Sequence, residues 1–216
     1  MGLFGKKHYD RSEALERAAK LQGKGKKKKA IEEYKKVLSH EPENAAIQTK
    51  LAVLLAETKQ NEAAWHAFVR AAESWRKQGF GDREYAVYKQ ATRYMPHEVE
   101  LWETLAKHDL SAKRAPDALA VLLEGRKHMR KRRFRPMAVR LLRFAVEIEP
   151  WHFEATFDLA KTLRSLGEST EARDLFEGLA DRNRGRKLRR VRGVLFRMSP
   201  TPAAAWRWAR AALRGR

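Results

Sequence analysis

No cysteine occurs among the 216 residues, so disulfide frameworks, cysteine zinc sites and thiol catalysis are excluded. Nor is there an uninterrupted apolar run of the ~18 residues that a membrane-spanning helix needs. The start, MGLFGKKHYDRSEA, lacks the apolar core of a secretory signal. Its Met1-Gly2 pair begins a myristoylation pattern, but Lys6 stands where that pattern wants Ser or Thr. Alternating β-branched segments and Asn-Gly hairpin signals are missing, which argues against strands. Acidic residues are scarce: 27 Asp and Glu face 47 Lys and Arg, for a net charge of +20. Such an excess favours an acidic protein groove, an anionic membrane or nucleic acid as partner and says nothing about fold. The chain has room for one elongated domain or two small ones, and is long enough for a continuous core.

What is present is a period. Pro42, Pro96 and Pro150 are spaced evenly, 54 residues apart. With each proline as zero, offset nine gives Leu51, Leu105 and Leu159, and offset ten gives Ala52, Ala106 and Ala160. Offset twenty-two gives Ala64, Ala118 and Ala172, offset twenty-six Phe68, Leu122 and Phe176, and offset forty-six Tyr88, Leu142 and Phe196. The columns agree in size and in polarity, as an internal duplication requires. Each unit has room for three helices. The first is expected at 43–58, 61–77 and 82–95, with Asn61 and Asp82 as N-caps and Gln78-Gly79-Phe80-Gly81 as a break. The second is expected at 98–111, 115–130 and 135–149, with Pro116 and Pro136 in first helical turns, where a missing N–H costs nothing. The third is expected at 152–166, 169–181 and 185–198, with Gly167 as a stop and Ser169 as the next cap. A helix pair over 11–41, turning at QGKGKKKK, precedes them, and AAAWRWARAALR makes a last helix after Pro200 and Pro202. Residues 64–78, AWHAFVRAAESWRKQ, are apolar over so wide an arc that the helix should be buried between neighbours on two sides.

The middle unit, HEVELWETLAKHDLSAKRAPDALAVLLEGRKH, places large Trp102, Leu105 and Leu122 with small Ala106 and Ala118. This pattern resembles the tetratricopeptide repeat, in which small residues let two antiparallel helices approach closely. The resemblance covers residues 11–181. It implies an all-α, right-handed α-solenoid of helix pairs, here with a three-helix super-repeat of about 54 residues. The expected organisation is an N-terminal extension over 1–10, the solenoid over 11–181, and basic capping helices and tail over 182–216. The Arg- and Ala-rich, cysteine-free composition fits a bacterial adaptor of that family.

Catalytic and cofactor signals are weak throughout. Gly23-Lys24-Gly25-Lys26 lacks the preceding strand, the earlier glycine and the following Ser or Thr of a phosphate loop. It reads as a solvated turn. His8, His40, His66, His97, His108, His128 and His152 never stand at i, i+4 with a glutamate between. The expectation is no enzyme, no cofactor and no metal site.

Binding candidates fall into two sets. The family resemblance implies a groove lined by the first helix of each pair, which selects Thr49, Val53 and Glu57, then Glu103, Lys107 and Ser111, then Phe157, Lys161 and Arg164. Lys107 and Lys161 share one offset, so a pair of ammonium groups facing a partner's carboxylates is one hypothesis; ordinary solvated lysines are the other. The family's carboxylate clamp needs a lysine with asparagine four later, which these helices lack. The second set is the tail. From Arg182 onward there are twelve Lys and Arg and no Asp or Glu. A solenoid needs a polar-faced capping helix, which accounts for much of this. It leaves over Arg186, Lys187, Arg189, Arg190 and Arg192, and in the last helix Trp206, Arg207, Trp208 and Arg210. Trp206 and Trp208 are about 200° apart around a helix, so one indole should be available to lipid headgroups, an acidic protein or bases. Nucleic acid ranks last, because no reading module is recognisable. The reading is a cytoplasmic protein–protein interaction scaffold with acidic partner segments. Its rival is a peripheral membrane or nucleic-acid binder acting through the tail.

Overall fold

A computed structural model describes residues 9–213; the Met1-Gly2 start lies outside them. The described residues form α1 (Arg11–Gly23), α2 (Lys27–His40), α3 (Ala45–Glu57), α4 (Asn61–Lys77), α5 (Gly81–Tyr94), α6 (Val99–Ser111), α7 (Ala115–His128), a 3-10 turn (Arg132–Phe134), α8 (Arg135–Ile148), α9 (Phe153–Leu166), α10 (Ser169–Arg182), α11 (Gly185–Met198) and α12 (Pro202–Leu213). No strand occurs among the described residues, and the chain is an all-α helical repeat fold. The chain divides into two compact units, Met1–Leu101 and Trp102–Arg216.

Three helix-terminating turns repeat one geometry. Lys59, Lys113 and Gly167, each seventeen residues after its proline, have φ of 62°, 59° and 96°. The next residue's N–H then reaches back to the helix: Gln60 donates to Leu55 O at 2.9 Å, Arg114 to Asp109 O at 2.8 Å and Glu168 to Leu163 O at 3.0 Å. This closes the last turn and satisfies a carbonyl that would otherwise be orphaned. Gly167 takes the left-handed conformation freely, whereas the two lysines hold it against a Cβ clash. The same geometry explains where the expected caps differ. Asn61, Asp82 and Ser169 sit inside the first helical turn, and the cap positions belong to Gln60, Phe80 and Glu168, none of which makes a side-chain cap bond. One residue after the left-handed one is enough to enter the next helix. Side-chain caps occur instead at Asp10, Asn44 and His152, which accept from Glu13 N, Ile47 N and Ala155 N at 3.1, 3.2 and 3.3 Å. Pro116 and Pro136 fall in first turns, as expected.

In the first unit each helix packs on its successor, and α5 also touches α3. Alanines close the crossings: Ala18, Ala30, Ala52, Ala64, Ala71, Ala72 and Ala91 are fully buried around Tyr34, Phe68, Ile31 and Leu54. Small residues there permit the short interaxial distances of ridge-into-groove packing. Helix α4 buries Ala64, Ala67, Phe68, Ala71, Ala72 and Ser74 between α3 and α5, the two-sided burial its sequence implies. Glu41, at the end of α2, accepts from Asn44 at 2.8 Å and pairs with Arg11. Those contacts, the Asn44 hydrogen bond first, hold its carboxyl below the usual range.

In the second unit two tryptophans lie against glycines. A Cβ on Gly125 would meet Trp102 Cγ at 2.5 Å, and one on Gly178 would meet Trp151 Cη2 at 2.4 Å. Phe153, Phe157, Phe176, Leu179, Val191 and Leu195 fill the core between α9, α10 and α11. Ion pairs tie alternate helices together. Glu103 on α6 is held by Arg140 on α8 at 2.5 Å, and Arg143 on α8 by Glu171 on α10 at 3.0 Å. Arg126 on α7 meets Asp158 on α9 at 2.8 Å, and Arg190 on α11 meets Glu154 on α9 at 2.9 Å. Ion pairs thus join alternate helices, and Arg192 of α11 with Glu177 of α10, at 2.7 Å, joins neighbours as well.

Candidate partner-binding site

The groove residues stand on three helices: Thr49, Val53 and Glu57 on α3, Glu103, Lys107 and Ser111 on α6, and Phe157, Lys161 and Arg164 on α9. Glu103 meets Arg140 of α8. Several of the set are occupied. Phe157 is 2% exposed and stacks on Phe153, with the Arg190 guanidinium 4.0 Å from its ring. Glu103 is buried and neutralised by Arg140. Thr49 and Ser111 bond back to their own helices, to Ala45 O at 2.8 Å and His108 O at 2.7 Å. Val53 packs on the first core, and Glu57 pairs with Lys27 at 3.1 Å. Lys107, Lys161 and Arg164 are exposed. Lys107 lines a cleft of about 490 Å³ with Glu103, Val139, Arg140, Phe144 and Glu147.

A larger cleft, about 790 Å³, lies in the first unit on α2, α3 and α4. Leu51 and Leu55 of α3 form its floor, and Leu38 of α2 with Ala63, Ala67 and Val69 of α4 form its walls. Lys35, Arg70 and Lys77 stand on the rim with Glu43 and Glu73. Glu43 is engaged already: it accepts from the Ser74 hydroxyl at 3.1 Å and sits 3.6 Å from Lys77. Gln48 Oε1 lies equally close to that hydroxyl, at 3.1 Å, so the two acceptors share its single proton. Arg70 is exposed, one turn from Ala67 and Ser74. These wall residues were not selected by sequence, although the two-sided apolar arc of 64–78 marked the helix that carries them.

In the tail, α11 sets Arg186, Arg189, Arg190, Gly193 and Arg197 on one stripe, at spacings of three, four, seven and eleven. Arg192 is turned inward to Glu177 at 2.7 Å, and Lys187 lies 5.0 Å from the Phe153 ring. Trp208 stacks on Phe196 with centroids 6.1 Å apart, and its indole fills the space over Gly193. Trp206 is 67% exposed. Arg207 bonds Ala203 O at 3.4 Å, and Arg210 is exposed. An open cleft of about 770 Å³ lies among Arg186, Arg189, Arg190, Arg197, Phe196 and Trp208. Among the described residues no group of three or more His, Cys, Asp or Glu is placed to hold a metal ion, and no helix is long and apolar enough to cross a membrane.

The Tetratricopeptide repeat family model matches residues 15–79 and 157–216, together more than half of the chain. No curated protein matches the sequence. Among solved structures, a putative kinesin light chain of Podosopora anserina with TPR-like repeats is 19% identical, covering 88% of this chain and 97% of its own, at a TM-score of 0.40. The type IV pilus biogenesis factor PilW is 15% identical, covering 92% of this chain and 90% of its own, at 0.38. MamA is 16% identical, covering 95% and 91%, at 0.32. At such scores these likenesses decide nothing about partners.

Proposed function

Because the chain belongs to the tetratricopeptide repeat family, we propose that it is a non-enzymatic scaffold that holds a partner protein's segment in the cleft on α2, α3 and α4. The observation that carries this reading is the cleft's make-up: an aliphatic floor and walls under a rim whose cations outnumber its carboxylates. Apolar burial supplies affinity, and charge supplies orientation and choice of partner. The segment that fits is a short helix or extended stretch with two or three apolar side chains and a flanking Asp or Glu placed for Arg70. Lys77 is less available, because Glu43 already neutralises it. The tail arginines extend the attraction for acidic partners by steering.

Photo-cross-linking from within the cleft tests this. A photoreactive residue at Val69, in the full chain, should capture the partner. The same residue at Ala120, on exposed α7 surface, should not. Arg70→Glu should abolish capture from Val69 while leaving the protein folded, since Arg70 is solvent-facing. Equal capture from both positions, or capture indifferent to Arg70→Glu, sinks the reading.

A further inference from the structure

Helix α12 carries a face that packing leaves unused. Trp206 is 67% exposed and Leu213 75% exposed, and seven residues put them two turns apart along one side. Arg210 projects between them. The rotation of α12 is fixed from the other side: Ala211 is buried, and Trp208 lies nearly parallel to Phe196, at 7° between planes, with Gly193 leaving room for its indole. A larger residue at 193 would place its Cβ 3.2 Å from Trp208 Nε1. Seating Trp208 thus turns Trp206 outward. Beside this face, α11 presents the arginine stripe around its open cleft.

We propose that the α11 and α12 end of the second unit docks on an anionic lipid surface. Trp206 and Leu213 enter the headgroup boundary, and Arg207 and Arg210 of α12 with Arg186, Arg189 and Arg197 of α11 meet the phosphates and carboxylates of the headgroups. Three observations favour lipid over other occupants. First, the apolar groups protrude: neither lines the cleft on α11. A protein anchor instead sits in a packed pocket with surrounding contacts that exclude water, whereas a bilayer accepts protruding side chains. Second, the segment from Arg182 carries +12 with no carboxylate, which opposes a second copy of itself and complements anionic lipid. Third, an indole and a leucine on one face with arginines around them is the make-up of helices that lie in the interface plane. One weak signal gives marginal membrane binding; an apolar wedge combined with a basic patch gives stable binding. This inference is independent of the α2 to α4 cleft.

The test is co-sedimentation of the full chain with vesicles of phosphatidylcholine alone and of phosphatidylcholine with phosphatidylserine. Binding is expected only to the second. Each arginine near the surface is worth about fivefold in partitioning, so R207E/R210E should weaken binding by more than about 25-fold. W206S/L213S should weaken it at least about tenfold, from lost apolar burial. All four positions are exposed, and circular dichroism should confirm unchanged helicity. Arg70→Glu, far from this face in sequence and in the other unit, should bind vesicles as the unmodified chain does. The proposal is overturned if the chain ignores phosphatidylserine vesicles, or if W206S/L213S binds them as well as the parent does. Retention by single-stranded DNA or an acidic peptide, with vesicles ignored, would assign the face to that ligand instead.

Discussion

Replacing Gly125 by alanine sets two effects against each other whose sizes can be compared. In a helix interior the substitution gains about 1 kcal/mol of propensity. Against this, the new Cβ would lie 2.5 Å from Trp102 Cγ, 2.6 Å from Cδ2 and 3.0 Å from Leu141 Cδ1, where carbon atoms pack best at about 3.5–4.0 Å. The indole has little freedom to retreat. Trp102 is 6% exposed, His128 stacks on it with centroids 5.6 Å apart, and Leu141 is fully buried. Overpacking of this kind costs about 1–3 kcal/mol, and the closed surroundings place it in the upper half. The net expectation is a loss of about 1–2 kcal/mol, or about 2–8 °C in melting temperature for a chain of this size. Gly178→Ala is the matched control. Its Cβ would come as close, 2.4 Å from Trp151 Cη2, but Trp151 is 38% exposed, with the Arg182 guanidinium 4.0 Å from its ring. That indole swings into solvent, and the variant should melt within a degree or so of the parent. Thermal melts with near-ultraviolet circular dichroism decide it. If Gly125→Ala melts at or above Gly178→Ala, the argument from ring confinement is refuted.

Three further outcomes follow from the same geometry. Lys59→Gly and Lys113→Gly relieve the left-handed strain at 62° and 59° and should each stabilise by about 0.5–1 kcal/mol, while Gly167→Ala should destabilise by about 1 kcal/mol; melting curves showing the reverse order contradict the turn assignment. Arg140→Ala strands the buried carboxylate of Glu103 and should cost about 2 kcal/mol, measured by urea titration, whereas Glu103→Gln should cost less because the guanidinium that loses this carboxylate is half exposed to water. The Glu41 carboxyl is held low by Asn44 and Arg11, and that of Glu124 by Lys127. Their folded-state values lie below the unfolded value of about 4.5, so their contribution is complete above that pH and is lost as pH falls through the folded values. Glu41→Gln should lower the melting temperature modestly at neutral pH, where that contribution is complete, and flatten its fall below pH 4.5; an unaltered acid slope would discount the pairing.

Helix positions were legible because proline, glycine and alanine punctuate this chain at a fixed period, and each expected segment coincides with a helix to within about two residues at most ends. The caps were less legible. Asn61, Asp82 and Ser169 are good capping types, but the preceding left-handed residue starts the next helix one position earlier. The 3-10 turn at Arg132–Phe134 had no sequence signal beyond the proline at 136. The groove set was the least legible. A period read from columns treats every unit as equivalent and carries no information on what each copy packs against. At Phe157 the α9 helix turns a ring inward, where Phe176 of α10 and Arg190 of α11 meet it, while Lys161 at the next turn is exposed. Trp206 and Trp208 were better determined, because a two-residue separation on a helix fixes their divergence whatever lies around them.

The central claim, that the cleft of the first unit is where a partner segment is held, is tested most directly by hydrogen exchange on the full chain with and without the partner captured from Val69. The account predicts slowed exchange in α2 and α4 along the walls at Leu38, Ala63 and Val69, with Arg70→Glu removing it. Protection confined to α6 and α8 around Lys107, or to α11 and α12, with α2 and α4 unchanged, would contradict it.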